Sequence, residues 1–507
     1  MIDKNKYSEI CIFCDSLLND TDSSVQRVSI SWLHVIREHP IILSRYEHLY
    51  TNLGLIQNIK KWVITLINYI RILNNFIQSK RNNSSNVELG DFESNTPIDY
   101  LFVSHLIEAS HLNKESDFYF GSVISSLESE NFKTLTLLFN HTKVPNNDVR
   151  KRYTSPYKRL FLSNYLSARD EISLFFQLIS ESKILKSKLE KSKNNSLQSK
   201  IIKESSRQCM SVSTFDNLRR YYQFKRLIAK YNPRNIVTTF EGHAWERMLF
   251  RAAKEHSVSI QCMAYHHTSL FRLQHSALRK LNIVYNPDVI LTTGLDSKKR
   301  FENSEIGVNK PVVILGSSRG GDLVLSRENA NYSKSSIFVI PEGFDCECIK
   351  LFRFSIHCAK LAPKVNFIFK LHPIMCRDSF IRKYPEFRKL PGNVRWASDN
   401  LQSDFSECKW ALYRGTTMIV QACYAGLIPL YFQSRPDEMS IDLLDEVASY
   451  KMTLNNTDDF LTSISAINYD NFDWGRVMAY CATLYSPFDY SVLKGASKLL
   501  EKTERNE

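Results

Sequence analysis

VNFIFKLHP, residues 365–373, is a mainly apolar run to Leu371 that breaks on a histidine and a proline. A strand buried on both faces reads as a short continuous apolar run, and proline ends it because it has no N–H to offer a sheet ladder. His372 is therefore expected at the C-terminal end of a central strand, the edge at which open α/β sheets bind ligands. A capping or packing histidine accounts for the same residues, so the surrounding chain has to decide between the two.

On either side of this stretch, strand and helix patterns alternate. SSIFVIPEG (335–343) reads as a strand, Cys348 to Leu361 as a helix, and NVRWAS as a further short strand, while CKWALYRGTTMIVQACYAGLIPLYF (408–432) supplies strand, turn, helix and strand. Upstream, IDYLFVSHL, KTLTLLFNHT, RNIVTTFEG (234–242), SIQCMAYHH and DVILTTG (288–294) read as strands, with YFGSVISSLESE and HAWERMLFRAAKEHS as helices. PVVILGSSRGG (311–321) is a strand with a Gly/Ser-rich turn and marks the crossing into a second domain. The expected fold class is α/β, with two doubly wound Rossmann-like domains facing a cleft. The expected boundaries are an N-terminal helical region over 1–80, a first Rossmann-like domain over 98–310 and a second over 311–490. Residues 81–97 read as a polar linker, and about 156–230 as a basic helical insertion in the first domain.

The chain of 507 residues is too long for one core, and its 43% hydrophobic and 12% aromatic content supports large folded ones. Its formal charge of +13 favours anionic partners. Eleven scattered cysteines, with no secretion signal at the N-terminus, point to a reduced, cytoplasmic setting. Cys11 with Cys14, and Cys346 with Cys348, lack a second pair at zinc-binding spacing. No run approaches the ~20 apolar residues that span a bilayer. Trp62 to Ile77, with basic flanks at Lys60, Lys61, Lys80 and Arg81, reads as a buried amphipathic helix or as one lying on an anionic membrane surface.

Four strand ends carry polar residues that one ligand at the carboxyl edge could touch: FEGHAWE, VIPEG, KLHP and YRGTTM. In the last, Gly415 permits close backbone approach and Thr416 or Thr417 can cap the following helix, whose free amides favour a phosphate. Glu241, at the end of NIVTTF, is placed to accept a proton from a hydroxyl or to cap its helix, with Glu246 a weaker candidate. Neither a Walker-type G-x-x-x-x-G-K-[ST] nor a G-x-G-x-x-G after a strand is present, and no DxD-type metal site adjoins a strand end.

The ordered set FEGHAWERMLFRAAKE, AYHHTS, NPDVILTTG, VILGSSRG, KLHP and GTTMIVQACYAG resembles the bacterial surface carbohydrate biosynthesis proteins, which are GT-B glycosyltransferase-like, over roughly residues 98–435. The order E-G, H-P and hydroxyl pair is also similar to that of bacterial GT-B sialyltransferases and Kdo-type transferases, which use CMP-activated sugar acids. Where that motif commonly has two acidic residues before glycine, Phe240 precedes Glu241 here. The resemblance implies that Glu241 is the general base, that His372 contacts the nucleotide phosphate and that Thr416 and Thr417 help to hold it. At its own strand end Glu342, followed by Gly343, can accept hydrogen bonds from ribose or base, and Arg319 and Lys370 are further candidate phosphate contacts, although alternation along the strand can point Lys370 away from His372's partner. No metal and no cofactor is implied beyond the nucleotide-sugar donor, with a CMP-sugar favoured.

The function so implied is transfer of a sugar, such as a nonulosonate or Kdo, onto a lipid-linked or oligosaccharide acceptor of O-antigen or capsule synthesis. It would take place in the cytoplasm, at the inner face of the membrane. A CDP-polyol phosphotransferase shares the fold and the H-P motif. A non-catalytic glycan- or nucleic-acid-binding protein is the other class, but no nucleic-acid partner is expected: the chain has no RRM, KH or zinc-finger pattern, and its Lys-rich stretch reads as a solvated helix.

Overall fold

The computed structural model describes residues 4–38, 40–49, 55–81, 86–90, 97–142, 144–190, 196–271, 273, 276–320, 335–373, 375–435, 438–439, 441–444, 451–466 and 472–495. The apolar runs form two sheets, one in each of two units. The first unit comprises residues 1–268, 274–318 and 486–507, and the second comprises 269–273 and 319–485.

In the first unit the strands are β1 (Val87–Leu89), β2 (Tyr100–Leu106), β3 (Thr134–Asn140), β4 (Arg159–Phe161), β5 (Asn235–Thr239), β6 (Gln261–His266), β7 (Val289–Thr292) and β8 (Val312–Ile314). Their spatial order is β1-β4-β3-β2-β5-β6-β7-β8, parallel throughout except for β1 against β4. Strands covered on both faces have to be apolar along their length, and every residue of β5 is buried. Phe102, Val237, Met263, Tyr265 and Leu291 join Phe120, Ile124 and Leu127 of the flanking helix segment in one core cluster.

The second unit holds β9 (Ser336–Ile340), β10 (Asn366–Phe369), β11 (Val394–Trp396), β12 (Trp410–Tyr413), β13 (Ile428–Phe432) and β14 (Met452–Leu454), all parallel, in the order β11-β10-β9-β12-β13-β14. Counted along the chain this is 3-2-1-4-5-6, the doubly wound Rossmann order. Alternate residues of β9 serve opposite faces: Ile337 and Val339 enter one cluster, Phe338 and Ile340 the other. On the first face Phe352, from the helix Asp345–Leu361, stacks on Phe369 with ring centroids 4.4 Å apart.

Several expected boundaries are corrected. The strand at 312–314 pairs with β7 and so closes the first sheet; the crossing falls after Ser318, and the chain returns at Ser486 to place Leu493 in the first unit's core. The span 81–97, expected as linker, contains β1, and its residues 82–85 and 91–96 lie outside the described residues. The expected insertion contains β4, a ladder partner of β3, followed by the helices Ala168–Glu190, Leu197–Gln208 and Val212–Tyr231, of which the last leads directly into β5. Residues 191–195, in its most basic part, also lie outside the described residues.

The N-terminal helices belong to the first unit, bound to it by buried charge. Arg27, fully buried, donates through Nε to Glu181 Oε1 at 2.7 Å, and Glu181 Oε2 accepts from Ser24 at 2.7 Å. Arg279 donates to Asp15 at 3.1 Å and to the Leu33 carbonyl at 3.2 Å, and Asn217 to the Ser29 carbonyl at 3.0 Å. The helix Leu55–Arg81 is buried along one face only. Ile72 is fully covered and Phe76 meets Phe175 edge-on at 5.8 Å, whereas Ile59, Val63, Leu66, Ile70, Leu73 and Ile77 remain about half exposed. No helix among the described residues is long and apolar enough to cross a membrane. All eleven cysteines are free thiols, nine of them buried.

Glu181→Ala leaves the buried Arg27 to its other carboxylate partner, the part-exposed Asp22. It is accordingly expected to destabilise the first unit by about 2 kcal/mol, read from its urea midpoint. Joint replacement by Arg27→Met and Glu181→Leu recovers most of that loss.

Candidate active site

In a doubly wound sheet the crevice for a ligand opens where the strand order reverses, at the carboxyl ends of the two strands flanking the reversal. In the second unit these are β9 and β12, which lead into Pro341-Glu342-Gly343 and Arg414-Gly415-Thr416. The two turns are in contact. Gly415 has φ +52°, and a Cβ there would lie 2.6 Å from Glu342 Oε2, so only glycine lets the carboxylate rest over this backbone. Thr416 is buried, and its Oγ1 accepts from the Met418 amide at 3.3 Å at the start of the helix Met418–Tyr424. Thr417 caps that helix through its backbone position, not through its side chain; its Oγ1 accepts from the Arg319 guanidinium at 3.3 Å. Arg319 also donates to the Tyr485 hydroxyl at 3.2 Å.

His372 lies just beyond β10, half-buried. Burial, reinforced by the charge of Arg319, lowers its pKa and keeps the imidazole neutral. Gly343, also half-buried, follows Glu342 ahead of the helix at Asp345. Lys370 goes elsewhere: its ammonium donates to the Ser398 carbonyl at 3.3 Å, beyond β11 and away from the reversal. Arg414, to which the sequence reading gave no role, is almost fully buried. It donates to Glu347 at 2.5 Å, to the Phe432 carbonyl at 2.8 Å and to Glu438 at 3.2 Å, and so fixes the turn that carries Gly415 and Thr416.

The first sheet reverses between β2 and β5, and Glu241 follows β5. Its turn is tightly held. The Glu246 carboxylate accepts from the amides of Glu241, Gly242 and His243 at 2.9, 2.7 and 2.8 Å, so Glu246 takes the capping role that the sequence reading had offered to Glu241. Gly242 has φ +86° and lies so close to Ser276 that a Cβ would meet its carbonyl carbon at 2.3 Å, while Ser276 Oγ donates to the Glu241 carbonyl at 2.6 Å. The Glu241 side chain is thereby released from capping.

That side chain, 36% exposed, points at imidazoles: His243 Nε2 is 3.0 Å from its Oε2, and His267 Nε2 is 3.5 Å from its Oε1. Burial opposes the charge of Glu241, but the hydrogen bond from His243 and the charges of His267, His243 and His266 outweigh it and hold the carboxyl far below its usual range. Burial likewise opposes the His243 cation, yet the hydrogen bond to Glu241, with Glu38 and Glu246 nearby, raises it to about 10. The pair is an internal carboxylate–imidazolium. Beside it, His105 Nδ1 meets His141 Nε2 at 2.8 Å and His105 Nε2 meets Thr239 Oγ1 at 3.0 Å; burial, then His141 and His267, push His105 to about 3.

Sequence reasoning missed these histidines, although each closes a strand pattern it had recognised: VSHL, FNHT, EGH and AYHH. Among the described residues one group of carboxylates and histidine is close enough to share a cation, Glu38, Glu241 and His243. However, His243 faces Glu241 with Nε2 and Glu38, 4.0 Å away, with Nδ1, an arrangement suited to a proton-bearing imidazolium between two carboxylates.

No protein-family model matches the chain, and no curated protein matches it. Solved structures do. The UDP-GlcNAc 2-epimerase from Methanocaldococcus jannaschii aligns over 80% of this chain and 100% of its own, with 8% identity and a TM-score of 0.42. The UDP-GlcNAc 2-epimerase from Neisseria meningitidis bound to UDP-GlcNAc aligns over 81% of this chain and 100% of its own, with 12% identity and a TM-score of 0.41. The α,α-trehalose 6-phosphate synthase from Burkholderia multivorans aligns over 81% and 100%, with 9% identity and a TM-score of 0.46.

The ion pair has a definite pH signature. His243, raised from 6.5 to about 10, stabilises the fold fully below pH 6.5, and that contribution is lost as pH rises through about 10. Glu241, depressed from 4.5, contributes fully above pH 4.5 and loses its contribution as pH falls through its low folded value. In a histidine-labelled NMR titration, Glu241→Gln is expected to lower the His243 pKa by about 1–3 units. An unmoved titration would show that Glu241 is not its partner.

Proposed function

We propose that the protein is a glycosyltransferase of surface polysaccharide synthesis, moving a sugar from a nucleotide donor, favoured as a CMP-linked 2-keto sugar acid such as a nonulosonate or Kdo, to a glycan acceptor. The observation that carries this reading is the strand-order reversal in the second unit: Glu342 rests on Gly415, and Arg319, His372 and the Thr416–Thr417 hydroxyls belong to the same carboxyl edge. In the proposed complex Glu342 accepts hydrogen bonds from donor hydroxyls. Arg319, neutral His372 and the two threonines meet the phosphate, with Gly343 allowing its close approach. Lys370 has no part in this scheme, since its ammonium is held at Ser398.

Transfer then proceeds by attack of an acceptor hydroxyl oxygen on the anomeric carbon. The anomeric C–O bond to phosphate breaks, its electron pair leaves with the nucleotide, and the hydroxyl proton passes to Glu241. A carboxylate held so far below its ordinary pKa is a weak base in the ground state. It takes up the proton as the new bond forms and the oxygen becomes acidic. Charge on the departing phosphate is met by donors fixed beforehand, without a metal ion. The net charge of +13 suits an acceptor held at an anionic membrane surface.

Two measurements test the scheme. In thermal-shift assays with CMP, CDP, UDP and GDP, CMP is expected to stabilise the wild type most, because a ligand that binds the native state raises its apparent stability; stabilisation by UDP or GDP alone removes the CMP assignment. In turnover assays, which are expected to persist in EDTA, Glu241→Gln lowers kcat by roughly 10²–10⁴ with donor binding little changed, whereas His372→Ala weakens nucleotide binding in the absence of acceptor as well. Equal loss of nucleotide binding in both variants rejects the division of roles.

A further inference from the structure

The helix Leu55–Arg81 has 27 residues, and the sequence places no acidic residue in it. Its exposed aliphatics recur with a fixed spacing. Ile59, Val63, Leu66, Ile70, Leu73 and Ile77 are separated by four, three, four, three and four residues, and each is 47–57% exposed. This alternation keeps the six on one narrow stripe along the helix, the pattern of an a/d seam set against a second helix. In heptad terms Val63, Ile70 and Ile77 fall at a, and Ile59, Leu66 and Leu73 at d. The a positions are all β-branched and two of the three d positions are leucine, the distribution that favours two parallel strands.

The opposite face is already occupied within the first unit. Ile72 and Ser79 are buried, and Phe76 packs edge-on against Phe175 at 5.8 Å and against Phe215 at 6.3 Å. Two faces of one helix are thus apolar, one of them covered. Ile67, at 41% exposure, flanks the same stripe. These seven part-exposed aliphatic side chains offer on the order of 600 Å² per copy, against the roughly 800 Å² per partner of a standard interface.

We infer that this seam pairs with the same helix of a second copy, forming a two-stranded parallel coiled coil that makes the protein a homodimer. A two-fold interface of this kind is self-complementary, with each a residue meeting its own counterpart. A membrane surface fits less well. A helix lying on lipid carries a broad apolar face backed by a solvated polar one, whereas this helix is backed by the protein's own core.

Sedimentation velocity of the full chain is expected to give twice the chain mass of 58.9 kDa, and Leu66→Asp with Ile70→Asp is expected to bring it to the single mass. Both residues are exposed in the isolated chain, so an unchanged circular dichroism spectrum is the control for folding. In a background with the exposed Cys346 and Cys376 replaced by serine, Ile77→Cys is expected to form an inter-chain disulfide on mild oxidation, because parallel pairing brings each a position next to its copy. A monomeric wild type, or a dimer unaffected by the double substitution, overturns the proposal. A dimer in which Ile77→Cys does not cross-link overturns parallel pairing. A monomer that floats with vesicles of equal phosphatidylglycerol and phosphatidylcholine, and ceases to do so in the double variant, assigns the face to lipid instead.

Discussion

A parallel strand covered by helices on both faces has only its ends to present to a ligand. Its flanks need apolar residues, and its backbone polar groups are used up in the ladder. That constraint orders both units of this protein. β5 is buried at every position, and β9 sends alternate residues into two separate cores. Polar chemistry is therefore displaced to the turns that follow the strands, and strand order decides which turns become neighbours. Glu342 and Gly415 are 73 positions apart in the chain, yet they touch because β9 and β12 are adjacent where the winding reverses.

The electrostatics of the two strand-end regions differ in kind. Around Glu241 the charges are mutually neutralising, with a depressed carboxyl and an elevated imidazole sharing one proton-bearing contact. Around His372, burial and then the charge of Arg319 keep the imidazole neutral. Supporting residues make each arrangement rigid. Glu246 ties three successive amides of the Glu241 turn, and Arg414 binds two carboxylates and a carbonyl beneath the Gly415 turn.

The fold was largely legible where runs were long. RNIVTTFEG, SSIFVIPEG and VNFIFKLHP announce buried strands by composition alone, and the structure places strands in all three. Two strands of three residues, the edge strand β1 and its neighbour β4, were lost in the expected linker and the expected insertion, because three residues are too few to display a period and their partners lie far off in the chain. The candidate positions after β5, β9, β10 and β12 were likewise visible as polar residues interrupting apolar runs. For Lys370 the alternation along its strand left the direction open, and its ammonium turns to Ser398.

What the sequence determined by itself was therefore periodicity: which segments are strands buried on both faces, which residues end them, and that the helix at 55–81 carries apolar residues every three to four positions. What only the tertiary structure decided was adjacency. It showed that His105 meets His141, that Glu246 and not Glu241 caps the turn at 241–243, and that the first sheet extends to β8 before the chain crosses over. It also showed which of two apolar helix faces is left uncovered. The physical reason is that burial and strand propensity are set by short windows of side chains, whereas pKa values, caps and contacts depend on groups brought together by loops that carry no pattern of their own.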